Sequence, residues 1–202
     1  MVAYAEEPTE SFGKVEIRDF FAIPGTVRYL DRLTRVPGAD GFGTGPYDFR
    51  FDARRFCRKA FAQDACFDES DKVFWFDADC IIHKELPTEL FEELLESVPF
   101  CYMGRGRQGS YIAYTETGFV GFNTKHERFP EFRSKYLSYF TSGRIFQQLR
   151  GWHDCIAFDQ ARDGIPGRNM SPYGVGMEAV IQKTVLAGYV DHLKGQRKFN
   201  EG

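Results

Sequence analysis

Val73-Phe74-Trp75-Phe76-Asp77-Ala78-Asp79-Cys80-Ile81-Ile82 is an apolar run that breaks into two carboxylates around one small residue. Val73–Phe76 reads as a buried strand, because a short, continuous apolar segment rich in aromatic and β-branched residues favours the extended state. Asp77 and Asp79 then fall at the C-terminal end of that strand, where open α/β sheets gather their ligands. Carboxylates concentrated at one loop suit a divalent cation. A D-x-D triplet is also a common surface turn. What distinguishes this one is the apolar run ahead of it: aspartates drawn toward a core need a cation, an arginine or hydrogen bonds to compensate them. The small Ala78 leaves room for a ligand to approach.

Outward from this run, the pattern alternates strands and helices. Val2–Ala5 and Val15–Ile17 read as short strands and Thr26–Arg35 as a helix. Pro37–Pro46 carries four closely spaced glycines and reads as loop. Asp52–Gln63 reads as a helix with the apolar stripe Phe56, Cys57, Ala60 and Phe61, flanked by Arg54, Arg55, Arg58 and Lys59. Pro87 opens a helix over Glu89–Glu96, a position proline tolerates. Further strands are expected from Tyr102 and over Gly118–Asn123, and helices over Pro130–Ser142 and His153–Arg162. Gly104–Gly109 and Gly164–Gly176 read as loops; Ala179–Leu186 fits helix or strand. The alternation predicts one α/β domain over residues 1–202, with a mainly parallel sheet flanked by helices.

The far end of the chain holds a second concentration of chemistry, Asp191-His192-Leu193-Lys194-Gly195-Gln196-Arg197-Lys198. Histidine is a frequent metal ligand, glycine lets a backbone approach a ligand closely, and the three basic residues suit phosphate. A frayed basic terminus has the same composition, so this tail alone leaves both readings open.

Composition narrows the class. Net charge is −3, which gives no global signal for nucleic acid or a membrane surface. Residues 1–100 hold 12 basic against 20 acidic side chains, while the remainder is net basic. That polarity fits either a basic wall on an anion site or scattered solvated charge. The five cysteines, Cys57, Cys66, Cys80, Cys101 and Cys155, are odd in number and match no paired spacing. Reduced thiols in a cytoplasmic protein are the expectation. No run of about 18 apolar residues predicts a membrane span, and the N-terminus lacks the features of a signal peptide.

Taken together, the two motifs resemble GT-A fold glycosyltransferases, specifically the glycogenin-like and lipopolysaccharide-galactosyltransferase-like retaining family. There a strand delivers a D-x-D motif that holds Mn²⁺ against the diphosphate of a UDP-sugar, here Asp77 and Asp79. A C-terminal H-x-x-G-x-x-K motif, here His192, Gly195 and Lys198, supplies a third metal ligand and phosphate contacts. The family's basic helix before the D-x-D strand matches residues 52–62. Its glycine-bearing strand ending in Asn and its helix with paired aspartates match Glu116–Asn123 and His153–Gln160 more loosely. The resemblance spans residues 47–198 in order. Nothing before Tyr4 matches the family's first strand and helix, which grip uracil and ribose, so the fold is expected to lack that unit.

The resemblance implies transfer of a sugar from a nucleotide-sugar, UDP-linked, to a hydroxyl, with retention. Asp77, Asp79 and His192 would hold Mn²⁺ or Mg²⁺, since oxygen ligands with one imidazole suit these ions better than zinc. Lys198, with Lys194 and Arg197 in support, would neutralise the departing diphosphate, and Gly195 would let the backbone approach it. Arg55 and Lys59, one helical turn apart, are candidates for the nucleotide phosphates or ribose, against a plain solvated face. Asp154 is a candidate near the sugar or acceptor hydroxyl, against an N-cap role. Glu116 is a candidate for sugar hydroxyls, against a surface position. Asp159 and Gln160 are weaker candidates. The acceptor stays open between a glycan, a protein and a modified nucleobase. A degenerate, ligand-binding GT-A domain and a nucleotidyltransferase are the competing readings; the latter lacks an early glycine-rich phosphate loop.

Overall fold

The computed structural model describes residues 1–8, 10, 13–105, 107–108, 111–112, 114–171 and 180–193. The chain divides into two compact units, residues 1–69 with 134–157 and residues 70–133 with 158–202. The strands are β1 (Val2–Ala5), β2 (Glu16–Asp19), β3 (Lys72–Phe76), β4 (Cys80–Ile82), β5 (Phe100–Met103), β6 (Arg107–Gln108), β7 (Tyr111–Ile112), β8 (Glu116–Asn123), β9 (Arg168–Asn169) and β10 (Val190–His192). The helices are α1 (Thr26–Leu33), α2 (Ala53–Phe67), α3 (Thr88–Leu94), α4 (Phe129–Thr141), α5 (Arg144–Gln148) and α6 (Asp154–Ala161). Among the described residues no helix is long and apolar enough to cross a membrane.

In the first unit β1 and β2 pair in parallel, Val2 opposite Glu16 through Ala5 opposite Asp19. Asp52 caps α2 by accepting from the Arg55 amide at 2.9 Å, which satisfies one of the orphan donors of a helix start. The helix runs one turn beyond the expected Gln63, because Phe67 continues its buried stripe of Cys57, Ala60 and Phe61. The Tyr29 ring of α1 packs on Phe61 with centroids 5.3 Å apart. In the loop before α2, Gly41 has φ +82°, and a side chain there would meet the Tyr47 ring at 2.7 Å, so the turn requires glycine.

The second unit holds a four-stranded sheet in the order β3-β8-β5-β9. β8 runs antiparallel to both β3 and β5, and β9 runs parallel to β5. Three strands therefore share one direction, and β8 opposes them from inside the sheet. The α/β class stands as read, but two of the three pairings are antiparallel where parallel pairing was expected. The hairpin arm β6–β7, whose strands pair antiparallel, lies between β5 and β8 and returns the chain alongside the strand it left. β3 is an edge strand of this sheet and is half-buried throughout, where its apolar run suggested a buried strand.

Alternation along the strands builds two cores in this unit. Phe119 faces Cys101, Met103, Phe74 and Phe76, with Leu94, Leu95, Ile181, Leu186 and Val190 closing over them. Phe122 and Phe100 face the other way into an aromatic cluster. Phe100 and Phe132 have centroids 4.9 Å apart, and Phe132 and Phe158 5.3 Å. The wealth of phenylalanine thus resolves into one aromatic layer and one mixed layer on opposite faces of the same sheet. Residues 181–188 form short 3₁₀ turns, neither the regular helix nor the strand considered for that segment.

Candidate functional site

The antiparallel insertion of β8 decides what meets the strand-end aspartates. Phe76 pairs with Phe119, and the next amide, of Asp77, donates to the Gly118 carbonyl at 2.9 Å. The start of β8, Glu116-Thr117-Gly118, is thereby laid beside Asp77-Ala78-Asp79. Trp75 and Asp77 lie two residues apart on one face, and the indole Nε1 donates to Asp77 Oδ1 at 2.8 Å. The Cys80 amide donates to the Asp77 carbonyl at 2.9 Å, turning the chain into β4.

β10 comes back against β4 in antiparallel register, with His192 directly opposite Cys80. The Leu193 amide donates to the Asp79 carbonyl at 3.0 Å, extending that ladder. His192 Nε2 lies 2.9 Å from Asp79 Oδ1, a contact between residues 113 positions apart. Its other nitrogen, Nδ1, lies 3.9 Å from Glu116 Oε1. The ring fits because residue 118 is glycine: a Cβ there would stand 2.1 Å from His192 Cε1 and 2.3 Å from Nδ1. His192 is 4% exposed, so its imidazole sits in a closed setting in which a ligand would be held away from bulk water.

Two overlapping groups of atoms able to ligate a metal share this histidine. Asp77, Glu116 and His192 form one, and Asp79, Cys80 and His192 the other; within each, the atoms lie no more than 4.8 Å apart. Each group contains one of the two aspartates. Three carboxylates and an imidazole converging at one strand edge match the donor chemistry of a hard divalent cation.

Glu116 is buried at 4% exposure, not at the surface. Its Oε1 accepts from the Gly118 amide at 3.0 Å, and its Oε2 is ion-paired with the buried Arg105. The Arg105 guanidinium also lies over the Tyr114 ring, 5.5 Å from its centroid. From sequence, Cys80 carries no role, Arg105 falls in a stretch that suits either a phosphate contact or a flexible turn, and Glu116 is a candidate toward sugar hydroxyls alone. The signal available for Glu116 was its place two residues before the glycine that admits His192. Nothing in the sequence marked Arg105 as the partner of Glu116.

Asp159 accepts from the Thr115 amide at 2.9 Å and its hydroxyl at 2.5 Å, and pairs with Arg162 at 2.8 Å. It clamps the residue next to Glu116. Gln160 is exposed. Lys194, Gly195, Arg197 and Lys198 lie outside the described residues.

The remaining candidates belong to the first unit. Lys59 Nζ is 2.9 Å from Asp154 Oδ2, and the two side chains are 10% and 2% exposed. Two residues assigned separate roles from sequence are thus joined in one buried ion pair. Asp154 stands in the first turn of α6 rather than before it, and the Ala157 amide donates to the His153 carbonyl. Arg55 is exposed, with its guanidinium 5.8 Å from the centroid of the adjacent Phe56 ring.

No protein-family model matches the chain, and no curated protein matches it in sequence. Among solved structures it is similar to mouse xyloside xylosyltransferase 1 in its apo form, at 13% identity and a TM-score of 0.48, over 78% of this chain. The chain spans 62% of that protein's length. It is also similar to a glycosyltransferase involved in glycosylation of the major capsid of PBCV-1, at 17% identity and a TM-score of 0.49, over 89% of this chain and 95% of that one.

Proposed function

We propose that this chain is a metal-dependent glycosyltransferase of GT-A type, one catalytic domain that moves a sugar from a nucleotide-sugar, UDP-linked, to a hydroxyl acceptor. The observation that carries the reading is the contact between His192 and Asp79 across 113 residues, beside Asp77 and Glu116. A D-x-D strand end and a distant histidine have no local reason to meet, and their meeting gathers oxygen and nitrogen donors suited to Mn²⁺ or Mg²⁺.

In this reading Asp77, Asp79 and His192 hold the cation, with Glu116 beside them. The ion would act as a Lewis acid on the diphosphate that leaves the sugar. Arg105 neutralises Glu116, so the charge left to face a cation comes mainly from the two aspartates. Gly118 admits the imidazole, and the hydrogen bond from Trp75 fixes the rotation of the Asp77 carboxylate. Lys194, Gly195 and Lys198 take the phosphate contacts that the H-x-x-G-x-x-K motif implies, and Arg55 remains an exposed candidate for the nucleotide. Asp154 and Lys59 enter as one ion-paired unit, not as two independent groups.

Titration of UDP against the full chain, with and without Mn²⁺, tests the reading. UDP binding that requires Mn²⁺ and is lost in Asp79→Ala and His192→Ala is expected. Binding indifferent to the metal and to both substitutions would sink it. Hydrolysis of UDP-sugar in the same mixture separates a working transferase from a ligand-binding domain.

A further inference from the structure

We propose that Cys80 gives the site a second, sulfur-bearing ligand set, Asp79–Cys80–His192, which takes a thiophilic divalent cation such as Zn²⁺ or Cd²⁺ in competition with the hard cation. The proposal rests on the reading of His192 and the strand-end carboxylates as a cation site, and it adds a selectivity that this reading does not contain.

The register of β4 and β10 carries it. Cys80 and His192 are direct cross-strand partners. Partners in that relation project to the same face, with Cβ atoms about 4.5–5.5 Å apart. Cys80 Sγ donates to the Gly118 carbonyl at 3.5 Å, the same oxygen that accepts from the Asp77 amide, so the sulfur is aimed at the edge where His192 enters. Asp79, Cys80 and His192 each bring an atom within 4.8 Å of the other two. The two edges of the imidazole are separately addressed: Nε2 faces Asp79 at 2.9 Å, and Nδ1 is directed at Glu116 from 3.9 Å. Oxygen, sulfur and nitrogen with water as fourth ligand is a donor set for zinc-like ions, whereas Asp77 and Glu116 offer oxygen alone. Coordination replaces the thiol proton, which passes to solvent, and forms the metal–thiolate bond with no change of oxidation state. The hard-cation site proposed above and the sulfur set both draw on Asp79 and on His192, so an ion in one competes for the ligands of the other.

The probe is Cd²⁺, whose bond to thiolate gives an ultraviolet charge-transfer band. Titrated into the full chain, it is expected to raise this band in the parent and in Cys155→Ser, which removes the thiol of the His153–Asp154–Cys155 group. The band is expected to vanish in Cys80→Ser and Cys80→Ala, with folding of both variants verified by circular dichroism. Reversal of Mn²⁺-supported UDP binding should need at least about tenfold more Cd²⁺ in the Cys80 variants, while Mn²⁺ affinity moves less than about twofold. A band that survives in both Cys80 variants, or unchanged Cd²⁺ competition, overturns the proposal. A Cys80-dependent band in a chain with no Mn²⁺-dependent UDP binding upholds the sulfur set and defeats the glycosyltransferase reading. Mn²⁺-dependent UDP binding without a Cys80-dependent band does the reverse.

Discussion

Among the described residues, two clusters join histidine, aspartate and cysteine, and they differ in how they are made. His153-Asp154-Cys155 is contiguous in sequence and lies at the start of one helix. Lys59 neutralises its aspartate at 2.9 Å, Cys155 donates to that carboxylate at 3.7 Å, and the rings of Phe49 and Phe56 flank its histidine, with centroids 6.0 and 5.7 Å away. Asp79–Cys80–His192 is assembled by strand pairing from distant parts of the chain and shares its histidine with Asp77 and with Glu116, which is itself paired with Arg105. The same residue types make a buried ion pair in one unit and, in the other, a group whose donor atoms lie close enough together to hold an ion. In the first, the Lys59 ammonium already faces the only carboxylate of the group.

The sharpest way to break this contrast is Asp79→Ala or His192→Ala. Each is expected to lower sugar transfer by about 10²–10³-fold, the scale for removing one electrostatic element around a leaving group, and to abolish metal-dependent UDP binding. Lys59→Met comes next. It removes the ammonium from a buried carboxylate and should cost about 3–5 kcal/mol in denaturant unfolding. Adding Asp154→Leu should recover most of that loss. If Lys59→Met instead left stability intact and removed transfer activity, the first cluster would be a working site and the contrast would fail.

Gly118→Ala should act at the second cluster alone. Its Cβ would lie 2.1 Å from the imidazole, so His192 must move, and Mn²⁺ affinity is expected to fall about 10–100-fold in calorimetric titration. The smallest effect concerns two thiols that belong to neither cluster. Burial pushes Cys57 and Cys101 up to about 12. Their native forms hold protons that the unfolded chain releases from its ordinary thiol range near 9. Stability from this source is complete below that range and falls as pH rises through it toward about 12, so melting temperature should decline over that window. Thiol reagents at pH 8 should spare Cys57 and Cys101 in the folded chain and modify the half-buried Cys66, Cys80 and Cys155 first.

Much of the second cluster was legible because its signals are local. Asp77-Ala78-Asp79 announces itself by the apolar run before it, and His192 by the glycine and lysines that follow. Glu116 and Arg105 were harder to see. Their importance comes from the antiparallel placement of β8 beside β3, and no residue pattern in β8 marks the direction of its neighbours. A half-buried edge strand and a buried central one also share the apolar content of Val73–Phe76, so periodicity could not separate them. The Lys59–Asp154 pair joins residues 95 positions apart on two helices, and each helix looked complete without the other.

The contact between His192 and Asp79 has a consequence for the unfolded chain. A cation gripping both residues would close a loop containing most of the second unit, in the manner of a reversible crosslink. Closing so long a loop removes a large share of the freedom of the unfolded chain, and loop entropy grows only slowly with further length. The ion would then act as a concentration-dependent staple: the melting temperature would climb with free Mn²⁺ in the absence of any sugar donor, and chelation would return it to its metal-free value.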